Sequence, residues 1–254
     1  MRRKALCVGI NRYHNFPEAT LQGCVQDVRT MVKVMRYLDV QAVKTLTDED
    51  ATKEAILAEL KKLVNDDLDW FGFSFSGHGT QYPRADEPDG LGEALACHDL
   101  AQKGDGWDEG TIITDRELRA LLDQAHCTVE VWLDSCFSGG MTRSLRRTPR
   151  FLPWPGHREL PLPQLSDSKM ASSPGRRLVF WLAASEAQEA ADAWFENGAE
   201  GAFTHFWSRS FFSNPDDPRV RLIAETRTEL ASFHFPQFAR LKCWNVKAQT
   251  TVGT

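Results

Sequence analysis

Apolar residues in this chain form short runs that alternate with segments of helical periodicity. Four of these runs predict buried strands of a mostly parallel sheet, at residues 5–10, 70–75, 129–133 and 178–183, and a weaker run predicts a fifth at 41–45. Helical spacing of apolar residues predicts helices at 27–38, 52–64, 115–125 and 201–212. The alternation of strand and helix favours a doubly wound α/β sheet.

Capping residues and loop-forming residues add detail to this pattern. Thr52 is a predicted N-cap, and Thr114 with Glu117 has the spacing of a capping box. Residues 79–110 are rich in Gly, Pro and Asp, which predicts a loop or a short hairpin. Residues 141–177 hold six of the twelve prolines and eight basic residues against two acids, so we expect an exposed linker without regular elements.

Composition narrows the class of protein. The chain has 254 residues, 42% hydrophobic and 26% charged, which is typical of a globular protein; one α/β domain is the default at this length, and two domains are the alternative. The net charge of -5 disfavours nucleic-acid binding, which needs a basic face. No run reaches the roughly 18 apolar residues of a membrane span, and the first apolar run ends at Asn11, too early for a signal peptide. We therefore expect a cytoplasmic protein without membrane or nucleic-acid partners.

Six cysteines are present, and none forms a CxxC pair or a cluster with zinc-finger spacing. In a cytosolic chain such cysteines are usually free thiols that are buried as small hydrophobic residues. The chemical question is therefore which of them is reactive.

A histidine and a cysteine follow two of the predicted strands, each near glycines. His78 lies between Gly77 and Gly79, and Cys136 precedes Gly139 by three residues. Because sites in open α/β sheets lie at the carboxyl ends of strands, these side chains are candidates for a thiol nucleophile and its histidine base. The N–H groups of Gly79 and Cys136 would then face the developing oxyanion. Either residue alone is more often a polar loop residue or an inert buried thiol.

The motifs around these two residues resemble those of a known family. Ser76-Gly77-His78-Gly79 and the segment 134–139 (DSCFSG) resemble the two catalytic motifs of metacaspases and of their bacterial relatives, the orthocaspases. Residues 21–27 (LQGCVQD) are similar to a further family segment, and 178–185 with 201–204 look like the small subunit. The resemblance covers most of the chain.

The resemblance implies a fold, a division of the chain and an activity. It implies one caspase-like domain over 1–254, with a caspase-haemoglobinase-like, mostly parallel sheet flanked by helices on both faces. Within it, 1–140 is large-subunit-like, 141–177 is the basic, Pro-rich linker and 178–254 is small-subunit-like. The implied function is a monomeric cysteine endopeptidase acting on proteins or peptides, with a Cys136–His78 dyad and no cofactor required for the chemistry.

The resemblance also implies that the enzyme cuts after Arg or Lys. The acids of the family's substrate pocket correspond to Asp27 and Asp134, with Cys24 and Ser76 beside them. Burying ionised carboxylates costs free energy unless a cation pairs with them, and the Arg or Lys side chain of a bound substrate supplies that cation. The structural alternatives are a helix N-terminal acid for Asp27 and a turn residue for Asp134.

Family members commonly cut themselves between the two subunits, after a basic residue. The linker 141–177 lies at that position, and the candidate sites are Arg146, Arg147, Arg176 and Arg177. The alternative is a solvated basic loop, or one that docks a partner.

Calcium is a further expectation from the family, as an activator. The acidic segment 86–93 and Asp115 resemble parts of the family's calcium site, giving the weak candidates Asp86, Asp89, Glu93 and Asp115. Two positions where an acid is expected are occupied by Arg116 and Arg143, which favours a solvated acidic loop.

Two hypotheses from other classes stay open. The chain could be a caspase-like scaffold without turnover that binds a basic peptide or a partner protein. It could also be a redox-sensing thiol protein, in which Cys24 or Cys127 resolves an oxidised Cys136.

Overall fold

The central sheet of the molecule is mostly parallel, as predicted. The computed structural model describes residues 1–87, 90–137, 147–156, 175–184 and 190–254. Within these ranges the sheet contains, in spatial order, β15 (Arg240–Trp244), β12 (Leu178–Leu182), β9 (Thr128–Asp134), β3 (Trp70–Ser76), β1 (Arg3–Gly9) and β2 (Ala42–Thr47). All neighbouring pairs are parallel except the β12–β15 pair, which is antiparallel.

The two central strands are buried along their whole length. Every residue of β3 and of β9 is buried, including the polar Ser74 and Glu130, which is why apolar residues occur on both faces of these strands. Their register pairs Ser76 with Asp134, and Gly9 of β1 also pairs with Ser76. The carboxyl ends of the strands therefore meet at one edge, where the segments containing His78 and Cys136 begin.

Helices cover both faces of this sheet, and the structure places them in two hydrophobic clusters. The helices are α1 (Cys24–Tyr37), α2 (Lys53–Val64), α3 (Asp115–Leu122), α4 (Ala202–Ser213) and α5 (Arg219–Ser232). One cluster contains apolar residues of α2 and α3, and the other contains those of α1, α4 and α5. Thr52 accepts a hydrogen bond from the Ala55 N–H, and Thr114 and Glu117 form a capping box, so both predicted caps are confirmed.

The glycine-rich region after β3 forms a second, smaller sheet. Here β4 (Gly79–Pro83) and β5 (Leu91–Ala96) form an antiparallel hairpin, in line with the prediction of a short hairpin. This sheet is extended by β8 (Ile112–Thr114) beside β5 and by β11 (Phe151–Leu152) beside β4. A minor pair, β6 (Gln102–Lys103) and β7 (Gly106–Trp107), lies between β5 and β8 along the chain.

The expectation of an exposed linker without regular elements is wrong for the described part of 141–177. In it, β10 (Arg147–Pro149) pairs antiparallel with β13 (Ala191–Phe195), which in turn pairs with β14 (Gly198–Gly201). Arg150, between β10 and β11, is 0% exposed. Proline and arginine content indicates that a segment cannot build its own sheet, but it does not exclude pairing with strands elsewhere in the fold.

None of the described helices has the length and apolar character that crossing a lipid bilayer requires.

Candidate active site

The candidate nucleophile and base lie just beyond the ends of the two central strands. Cys136 follows β9 and is 1% exposed, and His78 follows β3 and is 3% exposed. A Cβ atom on Gly79 would overlap the carbonyl oxygen of Cys136, so only glycine allows the two turns to approach this closely. The local backbone therefore requires the glycine that follows the histidine.

A peptide carbonyl occupies the position predicted for the oxyanion. The N–H groups of Gly79 and Cys136 both donate to the carbonyl oxygen of Arg150, at 3.0 Å and 3.1 Å. Two convergent backbone donors on one carbonyl oxygen form the geometry of an oxyanion hole. The structure thus brings together the two predicted donors and a peptide bond, Arg150–Phe151.

Burial holds both reactive side chains in their neutral forms. The Sγ atom of Cys136 lies against the backbone of Ala190, which donates its N–H at 2.6 Å and accepts at 3.2 Å. Burial raises the pKa of Cys136 to about 12, although the Ala190 backbone opposes this shift. Burial also lowers the pKa of His78 to about 4, against the opposing effect of the Ala19 carbonyl. With the segment around Arg150 in place, the pair is a neutral thiol and a neutral imidazole at pH 7.

Two contacts fix the orientation and the tautomer of His78. Its Nε2 lies 2.8 Å from the carbonyl oxygen of Ala19, so Nε2 carries the proton and donates it to that oxygen. Its backbone N–H donates to the hydroxyl oxygen of Tyr13 at 2.7 Å, and the two rings are 5.1 Å apart. The buried Nδ1 has no hydrogen-bond partner among the described residues. Nδ1 is therefore the nitrogen that is free to accept a proton.

For the peptidase that the family resemblance implies, we expect Tyr13→Phe to lower kcat several-fold and to leave KM nearly unchanged. The substitution leaves the buried His78 N–H without its acceptor, at a cost of about 1–3 kcal/mol in stability, and loosens the candidate base without altering Asp27 or Asp134. Steady-state kinetics and urea unfolding measure the two effects. Tyr82→Phe is the matched control, because that hydroxyl bonds Asp115 instead. An unchanged kcat in Tyr13→Phe would contradict the positioning role.

The guanidinium of Arg150 fills an acidic pocket that includes both predicted acids. Its Nη2 donates to Asp27 and to Asp192, each at 2.8 Å. Its Nη1 donates to Ser76 at 2.7 Å and lies 3.1 Å from Asp134. The structure thus brings Asp27, Asp134 and Ser76 together around one guanidinium and adds a third carboxylate, that of Asp192; their role in binding substrate stays a prediction.

The charges in this pocket depend on each other. Burial alone would lower the pKa of Arg150, but the carboxylates of Asp134, Asp27 and Asp192 hold it well above its ordinary value. Burial raises the pKa of Asp27 to about 7, and the guanidinium is the main factor that keeps it from rising further. A cation in this pocket therefore stabilises the ionised carboxylates, which is the behaviour expected of a site that selects Arg.

Each carboxylate is held in place by groups other than the guanidinium. Asp134 accepts from the N–H and the hydroxyl of Thr204, at 2.9 Å and 2.7 Å. Asp27 accepts from the Gly201 N–H at 2.9 Å. A Cβ atom on Gly201 would overlap both Asp134 and the guanidinium, so this glycine makes room for the arginine side chain. The pocket is pre-organised by the start of α4 and by β14.

Asp192 is the pocket residue that sequence reasoning missed. Its carboxylate accepts from the N–H groups of Gln22 and Gly23, at 2.7 Å and 3.0 Å, immediately before α1. Its sequence signal is an isolated acid within the small apolar run 190–193 (AADA). Cys24, the other predicted pocket residue, is fully buried at the first position of α1, and burial raises its pKa well above the ordinary value while Arg150 opposes this shift.

The main chain around Arg150 is bound as an extended strand on both sides. The Arg150 N–H donates to the Ala190 carbonyl at 3.0 Å, and β10 continues the antiparallel pairing along β13. Since hydrogen-bonded residues alternate along such a pair, Pro149 falls at a position whose missing N–H costs nothing. After Arg150, Phe151 pairs with Gly79, and the Thr80 hydroxyl donates to the Leu152 carbonyl at 2.7 Å. The main chain on both sides of Arg150 is therefore held as an extended strand.

Three of the four predicted self-processing arginines lie within the described residues, and their role stays a prediction. Arg147 belongs to β10, three residues before Arg150, and Arg146 lies outside the described residues. Arg176 donates to the Ala125 carbonyl at 3.0 Å, and the Arg177 carbonyl accepts from the Val129 N–H, both at the amino end of β9 and thus at the opposite edge from Cys136.

Asp86 and Asp115, two of the acidic residues proposed for calcium, are paired with arginines. Arg84 donates to Asp115 at 2.8 Å and to Asp86 at 3.2 Å, and Arg116 also pairs with Asp86. Glu93 lies on β5, and Asp89 is outside the described residues. In the described ranges, no group of three or more His, Cys, Asp or Glu residues is placed to hold a metal ion. These donors do not fit a calcium site in this arrangement, and calcium activation stays a prediction.

The sequence of the chain is similar to those of known proteins. A family model for the metacaspase peptidase C14 domain matches residues 3–144. Metacaspase-4 of Arabidopsis thaliana is 34% identical over 156 residues, covering 56% of this chain and 34% of its own length. Metacaspase-1A of Aspergillus clavatus is 25% identical over 293 residues, covering 95% of this chain and 66% of its own length. The chain thus spans about a third to two thirds of these relatives.

The fold also matches a solved structure. A crystal structure of a Geobacter sulfurreducens protein superposes with a TM-score of 0.68 at 22% identity, covering 96% of this chain and 93% of that one. At this identity the match concerns the fold alone, and it agrees with the α/β class predicted from the sequence.

Proposed function

Because the chain belongs to the metacaspase peptidase C14 family, we propose that it is a cysteine endopeptidase that cuts after Arg or Lys. Cys136 is the nucleophile and His78 the general base. The observation that carries the proposal is the placement of Arg150: its carbonyl oxygen accepts from the N–H groups of Gly79 and Cys136 while its guanidinium lies among three carboxylates.

The proposed mechanism assigns one role to each of these groups. The Cys136 thiol gives its proton to Nδ1 of His78, and the thiolate attacks the carbonyl carbon of the bound arginine. The oxyanion is stabilised by the N–H groups of Gly79 and Cys136. The imidazolium of His78 then protonates the departing amine as the C–N bond breaks. Water, deprotonated by His78, hydrolyses the thioester, which releases the new carboxylate and restores the thiol.

The pocket favours Arg over Lys. The two terminal nitrogens of Arg150 contact four different side chains, those of Asp27, Asp134, Asp192 and Ser76. A lysine ammonium is a single point charge and cannot reproduce this forked set of contacts. We therefore propose cleavage after both residues, with higher kcat/KM for Arg.

The same placement supports self-processing, at a site that the sequence did not single out. We propose that the first bond cut is Arg150–Phe151 of the chain itself, since its carbonyl already lies in the oxyanion hole. Before this cut the segment fills the pocket, while burial raises the pKa of Cys136 to about 12 and lowers that of His78 to about 4. The cut frees the new carboxyl end to leave, and other polypeptides can then enter.

The test is cleavage of fluorogenic peptides that differ only in the last residue before the cut, Arg, Lys, Asp or Leu. We expect wild type to cleave the Arg and Lys peptides and Cys136→Ala to cleave none, because a methyl group cannot attack a carbonyl. Cys243→Ala is the control, since that half-buried thiol lies on the edge strand β15. Each protein is assayed with and without calcium, which tests the activator prediction at the same time.

The other outcomes separate the alternatives. Cleavage after Asp or Leu would support the peptidase function but contradict the proposal that the acidic pocket selects Arg or Lys. Absence of all cleavage, with the chain also remaining uncut, would contradict the peptidase and favour the scaffold that binds a basic segment. The redox hypothesis requires a disulfide partner for Cys136, and all six cysteines are free thiols in this structure. Activity in Cys136→Ala would contradict the assignment of the nucleophile.

A further inference from the structure

A second arginine of the bound segment occupies its own site. Arg147 lies three residues before Arg150 and pairs with Ala193 of β13. Its guanidinium donates to the carbonyl oxygens of His234 and Phe233, at 2.7 Å and 3.2 Å. The guanidinium carbon also lies 4.2 Å from the centre of the Phe235 ring, within cation–π range.

The acceptors of this site are the free carbonyls at the end of α5. Phe233 directly follows the last residue of α5, and His234 adopts a left-handed backbone conformation with a φ of 58°. Such a turn ends a helix and leaves its terminal carbonyls without helical partners. The negative end of the helix dipole adds to their attraction for a cation.

The site is built by the fold and does not depend on Arg147. Phe235 is only 8% exposed, and its ring contacts those of Phe195 and Phe206 with centroids 6.1 Å and 5.8 Å apart. Its N–H donates to the Leu230 carbonyl at 2.9 Å. A rigid aromatic face beside two fixed carbonyls is a pre-organised recognition site.

The distance between this site and the arginine pocket is also fixed. Gln237, two residues after Phe235, accepts from the Ala191 N–H at 3.1 Å and donates to the Ala183 carbonyl at 3.0 Å. It therefore ties the segment after α5 to β13, along which the peptide pairs. A peptide bound through both arginines has them three residues apart.

We propose that Phe233, His234 and Phe235 form a subsite that selects arginine at the fourth residue before the cut. The preferred substrate class is then a polypeptide with the pattern Arg-x-Pro-Arg, of which 147–150 (RTPR) is the copy within the chain. The inference rests on the proposed peptidase function and specifies its substrates. Lysine fits less well, because one ammonium cannot donate to two carbonyls and also stack flat on a ring.

The test compares three peptides of sequence X-Thr-Pro-Arg with a fluorogenic leaving group, where X is Arg, citrulline or Lys. Citrulline keeps the shape of arginine and removes its charge. We expect kcat/KM of the wild-type protein to be about tenfold higher for Arg than for citrulline, with Lys in between. Equal values for Arg and citrulline would overturn the subsite and leave the peptidase intact. Failure to cut any of the three would overturn the peptidase function, and the subsite with it.

Phe235→Leu tests the protein side of the contact. We expect it to reduce the Arg-to-citrulline ratio of kcat/KM about threefold, because the contact between the ring and the guanidinium is lost. An unchanged ratio in a folded variant would overturn the role of the ring. If the Phe235→Leu protein does not fold, Arg147→Gln tests the same contact from the side of the bound segment. We expect self-cleavage of the Arg147→Gln chain to be about tenfold slower than that of wild type. An unchanged rate of self-cleavage would overturn the proposal.

Discussion

Arg150→Gln is expected to leave the chain intact under conditions in which the wild-type chain is cut between Arg150 and Phe151. The glutamine amide is neutral and shorter, so it cannot bridge Asp27, Asp134 and Asp192 as the guanidinium does. Without that anchor the peptide carbonyl is not held on the N–H groups of Gly79 and Cys136. Intact mass and the amino-terminal sequence of the fragments measure the outcome, with a fragment beginning at Phe151 expected for wild type alone.

The substitution also has a large expected effect on stability. Removing one partner of a buried ion pair costs about 3–5 kcal/mol, because the remaining charge is left buried without compensation. In the Arg150→Gln chain Asp27 loses the guanidinium that keeps its pKa from rising above about 7, so its pKa rises further and we expect the stability loss relative to wild type to grow as the pH rises above about 7. Urea unfolding at several pH values measures this dependence.

Arg177→Gln is the matched control for both measurements. Arg177 is an exposed arginine of the same basic region. Its carbonyl oxygen accepts from the Val129 N–H, at the edge of the sheet opposite to Cys136. The control chain should be cut like wild type and lose little stability. A cut in Arg150→Gln at an unchanged rate, or loss of the cut in Arg177→Gln, would contradict the assignment of Arg150 and return the choice to the arginines predicted from sequence.

The sequence predicts those strands and helices whose local pattern of apolar and polar residues matches their burial in the folded protein. The buried runs around Phe73 and Val131 read as strands because both faces of β3 and β9 are covered. Capping at Thr114 is equally local, and the structure confirms it. Catalytic candidates belong to this class too, because the turns after these strands carry His78 and Cys136 in distinctive glycine-containing segments.

Elements whose buried face is polar are not predicted by such patterns. The helix α5 begins with Arg219, which is 0% exposed and donates to both oxygens of the buried Glu130 on β9. Thr226, also fully buried, takes another inward position of α5. An apolar-periodicity search treats these residues as solvent-facing and misses the helix. Arg219 is an interior residue because it pairs with Glu130, 89 residues earlier in the chain, whereas Thr226 donates its hydroxyl to the Leu222 carbonyl of the same helix.

The substrate-like segment is missed for a related reason. Arg147 and Arg150 belong to a stretch whose proline and charge content indicates a linker, and their roles depend on Asp192 and Phe235, which lie 42 and more residues further along the chain. Composition describes what a segment can form alone. It contains no information about which cleft elsewhere in the fold accepts the segment as a strand.

Asp134→Asn is expected to lower kcat/KM for an Arg peptide by roughly a hundredfold or more. Loss of one charge facing a fully buried guanidinium costs about 3 kcal/mol, which corresponds to about two decades in rate. An asparagine has nearly the same shape, so Thr204 still has an acceptor oxygen at this position. The change therefore removes charge from the pocket with little change in packing, and steady-state kinetics on the processed protein measure it.

Citrulline in place of the last Arg before the cut separates a pocket effect from a general loss of activity. Wild type should strongly prefer Arg over citrulline, because three carboxylates without a cation are left buried in the complex with the neutral residue. In Asp134→Asn the Arg-to-citrulline ratio should fall by the same factor as kcat/KM for Arg, because the citrulline rate changes little. Equal losses for both peptides would mean that Asp134 supports the catalytic turn of Cys136 and not the recognition of charge, and the acidic pocket would then rest on Asp27 and Asp192 alone.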